Sequence, residues 1–242
     1  MPSQPSVLYE DNHLLVIDKP PGMSTQGAVP GAPSVVDWAR SYLKRRYAKP
    51  GNVFVGVVSR LDRDVSGALV LARTSKAAAR LNDQFRLRTT EKIYWAMVEG
   101  TPPATFDCVD YLKVDERRPR VETVDAGIAG AQEARLQGRR LRCAGSLNLV
   151  EVRLETGRKH QIRVQLASRG WPIVGDRRYG STHSFAGGVA LHARRLTLQH
   201  PTRREPMTFE APLPASWTRL GVADSRFPPD VPESGEKSGR RG

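Results

Sequence analysis

Residues 53–72 read Val53-Phe54-Val55-Gly56-Val57-Val58-Ser59-Arg60-Leu61-Asp62-Arg63-Asp64-Val65-Ser66-Gly67-Ala68-Leu69-Val70-Leu71-Ala72. The two ends, 53–58 and 67–72, are short unbroken apolar runs and predict two buried strands. Between them, four of the five residues from Arg60 to Asp64 are charged. A polar loop joining two core strands is the ordinary explanation of such a pattern. A functional reading gains ground from the arginines on either side of a carboxylate. Cations favour the ionised form of a neighbouring acid, and a rigid strand can aim it at a ligand. On this stretch alone, Asp62 and Asp64 have equal standing.

The rest of the composition narrows the ligand. The chain has 242 residues, 39% of them hydrophobic, enough for a real core in one large domain or two small ones. Its formal net charge is +13. That surplus points to an anionic partner, most commonly nucleic acid. An anionic membrane surface is the alternative, yet no apolar run approaches the ~20 residues of a spanning helix. The opening Met1-Pro2-Ser3-Gln4-Pro5-Ser6 is neither basic nor apolar, unlike a signal peptide. Cys108 and Cys143 stand far apart without nearby histidines, which argues against a zinc site and a disulfide framework. A cytoplasmic protein is expected.

Outward from the opening stretch, Leu14-Leu15-Val16-Ile17 predicts a strand that ends at the Pro20-Pro21-Gly22 turn. Lys19, at its end, is placed to reach toward a phosphate or to stand in solvent. Ser34 reads as an N-cap, with Val35, Trp38, Ala39, Tyr42 and Leu43 at helical spacing behind it. Lys44-Arg45-Arg46 then suit the C-terminal end of the helix dipole. Ser75 predicts a second cap, for a helix whose Ala78, Leu81 and Phe85 share a face. Residues 91–98 read as a strand, and 104–145 as short strands and loops with a surface hairpin near Arg117-Arg118-Pro119-Arg120. After a strand over 147–154, Thr156-Gly157 and Gly170-Trp171-Pro172 bracket a predicted helix of about three turns. Its first turn would carry Arg158, Lys159 and His160, the wrong sign for the dipole unless an anion lies nearby. A last strand starts at Leu191-His192-Ala193, and Phe209-Glu210-Ala211-Pro212 reads as an exit segment. Beyond 220 the chain turns to Pro, Ser, Gly and charge, the composition of a disordered tail.

Chemistry at the two aspartates admits several readings. In an extended chain, Asp62 and Asp64 share a face and could hold a divalent metal. Arg60 and Arg63 would compete with that cation, and no third carboxylate or histidine cluster lies near them. No nucleophile-elbow pattern supports a Ser-His-Asp site. A lone aspartate nucleophile acting on a base or sugar remains open.

Five motifs taken in order resemble the RluA-type RNA pseudouridine synthases. They are Leu8-Tyr9-Glu10-Asp11 with Val16-Ile17-Asp18-Lys19-Pro20-Pro21-Gly22-Met23; Arg60-Leu61-Asp62 followed by Ser66-Gly67; Lys92-Ile93-Tyr94-Trp95-Ala96; Thr156-Gly157-Arg158-Lys159-His160-Gln161-Ile162-Arg163, with Gly175-Asp176 and Tyr179-Gly180 after it; and Leu191-His192-Ala193 with His200-Pro201. The resemblance implies an α+β fold: a long mixed, mostly antiparallel sheet in two half-domains with a central active-site cleft. It implies isomerisation of specific uridines in structured RNA (rRNA or tRNA), without cofactor or metal. By position, Asp62 would be the nucleophile, Tyr94 would pack against the flipped uracil, and Arg163 would pair with Asp62. Lys19, Arg60, Arg158, His160, Gln161 and Ile162 would bind substrate, Arg60 helping to hold the RNA open. Replacing Arg163 by Met is expected to disable catalysis far more than folding.

Two positions depart from the family pattern, Ser59 for the usual histidine and Val65 for the usual threonine. They keep an RNA-binding relative without catalysis as the alternative. Residues 1–220 are expected to form the catalytic domain and 221–242 a disordered polar tail. A monomer without an S4-type RNA-binding domain is expected. Targeting would then rest on the domain's own surface, including the arginine-rich region 117–142.

Overall fold

The structure, a computed structural model, describes residues 4–27, 33–115 and 120–222. In chain order the strands are β1 (Ser6–Glu10), β2 (Leu14–Lys19), β3 (Gly56–Val57), β4 (Ser66–Ala72), β5 (Glu91–Glu99), β6 (Thr105–Asp115), β7 (Arg120–Val124), β8 (Gln132–Ala144), β9 (Leu147–Leu154), β10 (Leu191–Gln199) and β11 (Pro206–Glu210). The helices are α1 (Val35–Arg46), α2 (Ser75–Arg86) and α3 (Gln161–Ala167). All the strands join one sheet, ordered β1-β2-β4-β10-β5-β9-β8-β6-β7, with β11 on β10 and β3 on β4. Among the strand pairs of the described residues, only β4 with β10 runs parallel. The fold is therefore the expected α+β arrangement around a mixed, mostly antiparallel sheet.

The two-residue period of the strands sorts the core. Leu15, Ile17, Leu69 and Leu71 point to one face and pack with Val35, Ala39 and Leu43 of α1. Leu14, Val16, Ala68 and Val70 point to the other face and meet Ala77 and Leu81 of α2. All of β4 is buried, which is why it reads as a continuous apolar run instead of alternating. Each of these large aliphatic side chains contributes roughly 1.5–3 kcal/mol by leaving water.

The two ends of β4 have different neighbours on the edge away from β2. Its first residues, Ser66 and Gly67, pair with His192 and Ala193 of β10. Its last, Leu71 and Ala72, pair with β3. The chain leaving β3 must run back along β4, about 17 Å, before it can enter that strand. This return carries Asp62. Gly67 sits at φ +115, and a Cβ there would collide with the Ala193 backbone. A glycine is what lets the two strands close at this junction.

Several expectations need correction. The run 53–58 pairs with the sheet only at Gly56 and Val57, and Phe54 is exposed. The cap of α2 is Thr74, whose hydroxyl accepts from the Ala77 N–H. The Ser34 cap of α1 holds, reinforced by a reciprocal bond with Asp37. Residues 104–145 contain long strands, β6 and β8, in place of short ones. Their outer face is polar, and the Phe106 ring lies where a Gly138 side chain would be. The apolar half of that alternation is therefore thin in sequence. The segment 206–210 forms an edge strand on β10. The helix at 161–167 spans two turns, and His160, at φ +54, stands before it. Arg158 and Lys159 therefore lie outside the helix. Of the proposed hairpin tip, 116–119 lies outside the described residues. Of the proposed tail, Val222 is buried and 223–242 lies outside them.

Candidate active site

The loop carrying Asp62 is tied down from both sides. The Thr25 hydroxyl donates to the Leu61 carbonyl (2.9 Å) and accepts from the Leu61 N–H (3.1 Å). The Arg63 carbonyl accepts from the Gly22 N–H at 2.8 Å. The Arg63 carbonyl also accepts from Lys19 Nζ at 3.0 Å; the same ammonium donates to the carbonyls of Pro20 (2.9 Å) and Met23 (2.8 Å). Three carbonyl acceptors match the three N–H bonds of an ammonium. Lys19 is fully buried, and burial pushes its pKa down to about 7 against the pull of Asp64, Asp62 and Asp18. The expected contact of Lys19 with a phosphate is therefore corrected: its ammonium is used up in holding the Pro-Pro-Gly turn to the Asp62 loop.

Asp62 faces an open cleft of about 920 Å³, which Tyr94, His160, Ile162 and Arg163 also line. Asp64 is not among the lining residues, so the two aspartates no longer have equal standing. Arg163 comes from α3 and donates from Nη1 to Asp62 Oδ2 at 3.0 Å. Its other edge grips Asp176 in a fork, Nε to Oδ2 at 2.6 Å and Nη2 to Oδ1 at 2.9 Å. Burial opposes the guanidinium charge, but Asp176 and Asp62 outweigh it and hold its pKa above the ordinary value. The fork leaves the Arg163 guanidinium one orientation, and so sets where Asp62 finds its counter-charge.

His160 Nε2 lies 3.7 Å from Asp62 Oδ2. Burial, opposed by Asp62, lowers its pKa to about 4, so the ring is neutral at pH 7. Its Nδ1 is 2.7 Å from the Tyr179 hydroxyl, which already accepts from the Val121 N–H at 3.1 Å. The phenol proton is then free for Nδ1, which leaves the imidazole proton on Nε2, facing the carboxylate. Tyr94 extends from the β5 position that lies between Ala193 and Val152. Burial and the charge of Asp62 raise its pKa, so the phenol stays neutral. The half-buried ring and the apolar Ile162 offer a flat, apolar contact beside a carboxylate.

Eight of the nine residues predicted from sequence meet at this cleft: Asp62, Tyr94, Arg163, Arg60, Arg158, His160, Gln161 and Ile162. Lys19 does not. Gln161 needs a second correction, because its amide is fully committed within the protein. Its oxygen accepts from the Thr156 hydroxyl (2.7 Å) and the Arg158 N–H (3.0 Å). Its nitrogen donates to the Arg135 carbonyl (3.0 Å) and Gln165 Oε1 (2.9 Å). It shapes the loop before α3 and has no bond left for a substrate. Both departures, Ser59 and Val65, line the cleft, Val65 from a buried position. The Val65 N–H still closes the loop onto the Asp62 carbonyl at 3.2 Å. The sequence carried Asp176 and Tyr179 inside a motif but assigned them no role.

A family model for RNA pseudouridylate synthase matches residues 13–168. An uncharacterised RNA pseudouridine synthase of Chloroflexus aurantiacus is 43% identical over 82% of this chain and 62% of its own length. The ribosomal large subunit pseudouridine synthase D of Pseudomonas aeruginosa is 34% identical over 88% of this chain and 70% of its own length. The structure of human RNA pseudouridylate synthase domain containing 4 superimposes with a TM-score of 0.74 at 26% identity, covering 89% of this chain and 93% of the human one. An aspartate held by an arginine in a cleft faced by a tyrosine thus sits in a chain that belongs to the RNA pseudouridylate synthase family, a family of isomerases acting on uridine in RNA.

Proposed function

We propose that this chain converts specific uridines to pseudouridine in structured RNA, with Asp62 as the nucleophile and no cofactor. The observation that carries this reading is the Asp62–Arg163 contact of 3.0 Å at the edge of a cleft that Tyr94 also lines. The reaction must break the N-glycosidic bond, turn the base and rejoin it through carbon. Asp62 supplies the carboxylate at the cleft wall. Tyr94 and Ile162 hold the freed base against an apolar surface. Arg163 stands against Asp62 as its counter-charge, and the Nε2–H of His160 faces the same carboxylate.

The base must first leave its stack, which costs a few kcal/mol. Cationic side chains along the cleft, among them Arg60 and Arg158, offset that through the RNA backbone. Ribosomal or transfer RNA is the proposed substrate, and the relative named for the large ribosomal subunit favours the ribosomal one.

The test is Asp62→Asn, assayed by mapping pseudouridine in RNA from cells that carry the variant, the wild type or no copy of the gene. The wild type should restore sites that the variant cannot, while both retain RNA affinity, because phosphate contacts do not need that carboxylate. If the wild type restores no site yet still binds RNA, the chain is a binding protein without chemistry.

A further inference from the structure

Lys92 precedes Tyr94 by two positions on β5, so both side chains emerge on the same face about 7 Å apart. Both line the cleft. Lys92 is half-buried, yet its ammonium has no hydrogen-bond or ion-pair partner among the described residues. The neighbouring carboxylates are either engaged or out of reach. Glu91 lies 3.6 Å from Arg153 and 3.9 Å from Arg195. Glu133 is paired with Arg135 at 2.9 Å. Glu155 lines the cleft but forms no ion pair with Lys92. Burial, and then the charge of Arg88, push the Lys92 pKa down to about 8. This is a cation held where the described residues provide no paired anion.

Gly157 adds an independent observation. Its backbone is not in the left-handed region, and a Cβ built on it would meet only Lys92 Nζ, at 3.8 Å. Neither conformation nor backbone crowding calls for glycine here. What the missing side chain does is leave the ammonium open to the cleft. Arg158, the next residue, anchors its Nε on the Glu133 carbonyl at 3.0 Å and also lines the cleft. Arg88 reaches the same wall from the end of α2, at φ +58.

We propose that Lys92, uncovered by Gly157 and flanked by Arg88 and Arg158, forms a subsite for one phosphodiester next to the nucleotide whose base contacts Tyr94. The proposal rests on the reading of the cleft as a uridine site in RNA and adds a specific phosphate contact to it. A phosphate oxygen would supply the acceptor that the ammonium lacks, and binding would raise the pKa of the lysine. Lys92 would thus place the backbone while Tyr94 receives the base.

The probe is labelled decauridylate, titrated against the full chain at several salt concentrations. Lys92→Met should weaken binding about tenfold and flatten the plot of log affinity against log salt by about 0.7, the loss of one single-strand phosphate contact. Lys92→Arg should keep the wild-type slope. Gly157→Val should reproduce the loss although it retains the lysine. An unchanged slope in Lys92→Met overturns the subsite, whatever happens to activity. If that variant does not fold, the Nζ resonance of Lys92 in the wild type is followed by NMR instead. It should respond to uridine 3′,5′-bisphosphate and not to uridine; an equal response to both, or to neither, overturns the proposal. The two readings fail separately. A wild type that makes pseudouridine with no slope change in Lys92→Met removes only the subsite, whereas a slope change without pseudouridine removes only the chemistry.

Discussion

Arg163 serves two anions at once, and this changes what its removal should do. Asp176 is almost completely buried, with a side-chain exposure of 1%. Without the guanidinium it becomes an uncompensated interior charge, a loss of about 3–5 kcal/mol. Arg163→Met is therefore expected to lower the melting temperature as well as to abolish pseudouridine formation, contrary to the expectation from sequence that folding would be spared. Adding Asp176→Asn to it removes the orphaned charge. The double variant should regain much of the lost thermal stability and none of the activity. Calorimetry beside a pseudouridine assay checks both halves, and recovery of activity in the double variant would rule out a direct role for Arg163 at Asp62.

At the scale of elements, β5 contributes to the site at two points along its length. Its middle presents Tyr94, and its last residue, Glu99, holds the turn that carries Asp176. The Ser181 hydroxyl is 2.5 Å from Glu99 Oε1 and accepts from the Gly175 N–H at 3.0 Å. The Thr182 N–H and hydroxyl donate to the same carboxylate at 3.0 and 2.8 Å. Burial works against the Glu99 charge, but these bonds prevail and draw its pKa down to about 2. Because the folded pKa lies below the unfolded value of about 4.3, the stabilisation is fully present above that value. It is lost as pH falls toward 2. Denaturant titrations of the wild type and Glu99→Gln should differ most at neutral pH and draw together progressively from about pH 4 toward pH 2. A gap that stays constant down to pH 3 would show that the charge on Glu99 does not hold the turn.

For the whole molecule, the central pair of strands matters most. β4 is covered on both faces and paired along both edges, and β10 bonds to β4, β5 and β11. Ser66 and His192, opposite each other where β4 meets β10, are also joined through side chains at 2.8 Å. The Asp62 loop hangs on this junction, while β1 and β7 form the outer ends of the sheet. Hydrogen exchange should accordingly be slowest in β4 and the start of β10 and faster by orders of magnitude in β7. Equal rates in β4 and β7 would mean that the junction is not the stable centre of the fold.

The sequence alone carried the elements with a strong local signal. The capped amphipathic α1 was legible because Ser34, its apolar spacing and its basic last turn agree, and β4 because a strand buried on both faces must be apolar throughout. Asp62, Tyr94 and Arg163 stand out in sequence because they sit in motifs of fixed order, and the fold brings all three to one cleft. What needed tertiary structure were properties that depend on distant neighbours. Lys19 and Gln161 look like ligand-binding groups in sequence, and only the fold shows their donors satisfied by Pro20, Met23 and Arg63, and by Arg135 and Gln165. β6 and β8 were obscured because their solvated faces are as polar as loops. The motif order already favoured Asp62 over Asp64, two residues on, and the fold adds a contact from an arginine about a hundred positions away. Local composition records which groups the chain owns; which of them keep a free lone pair or an unmatched charge is decided by what the fold brings against them.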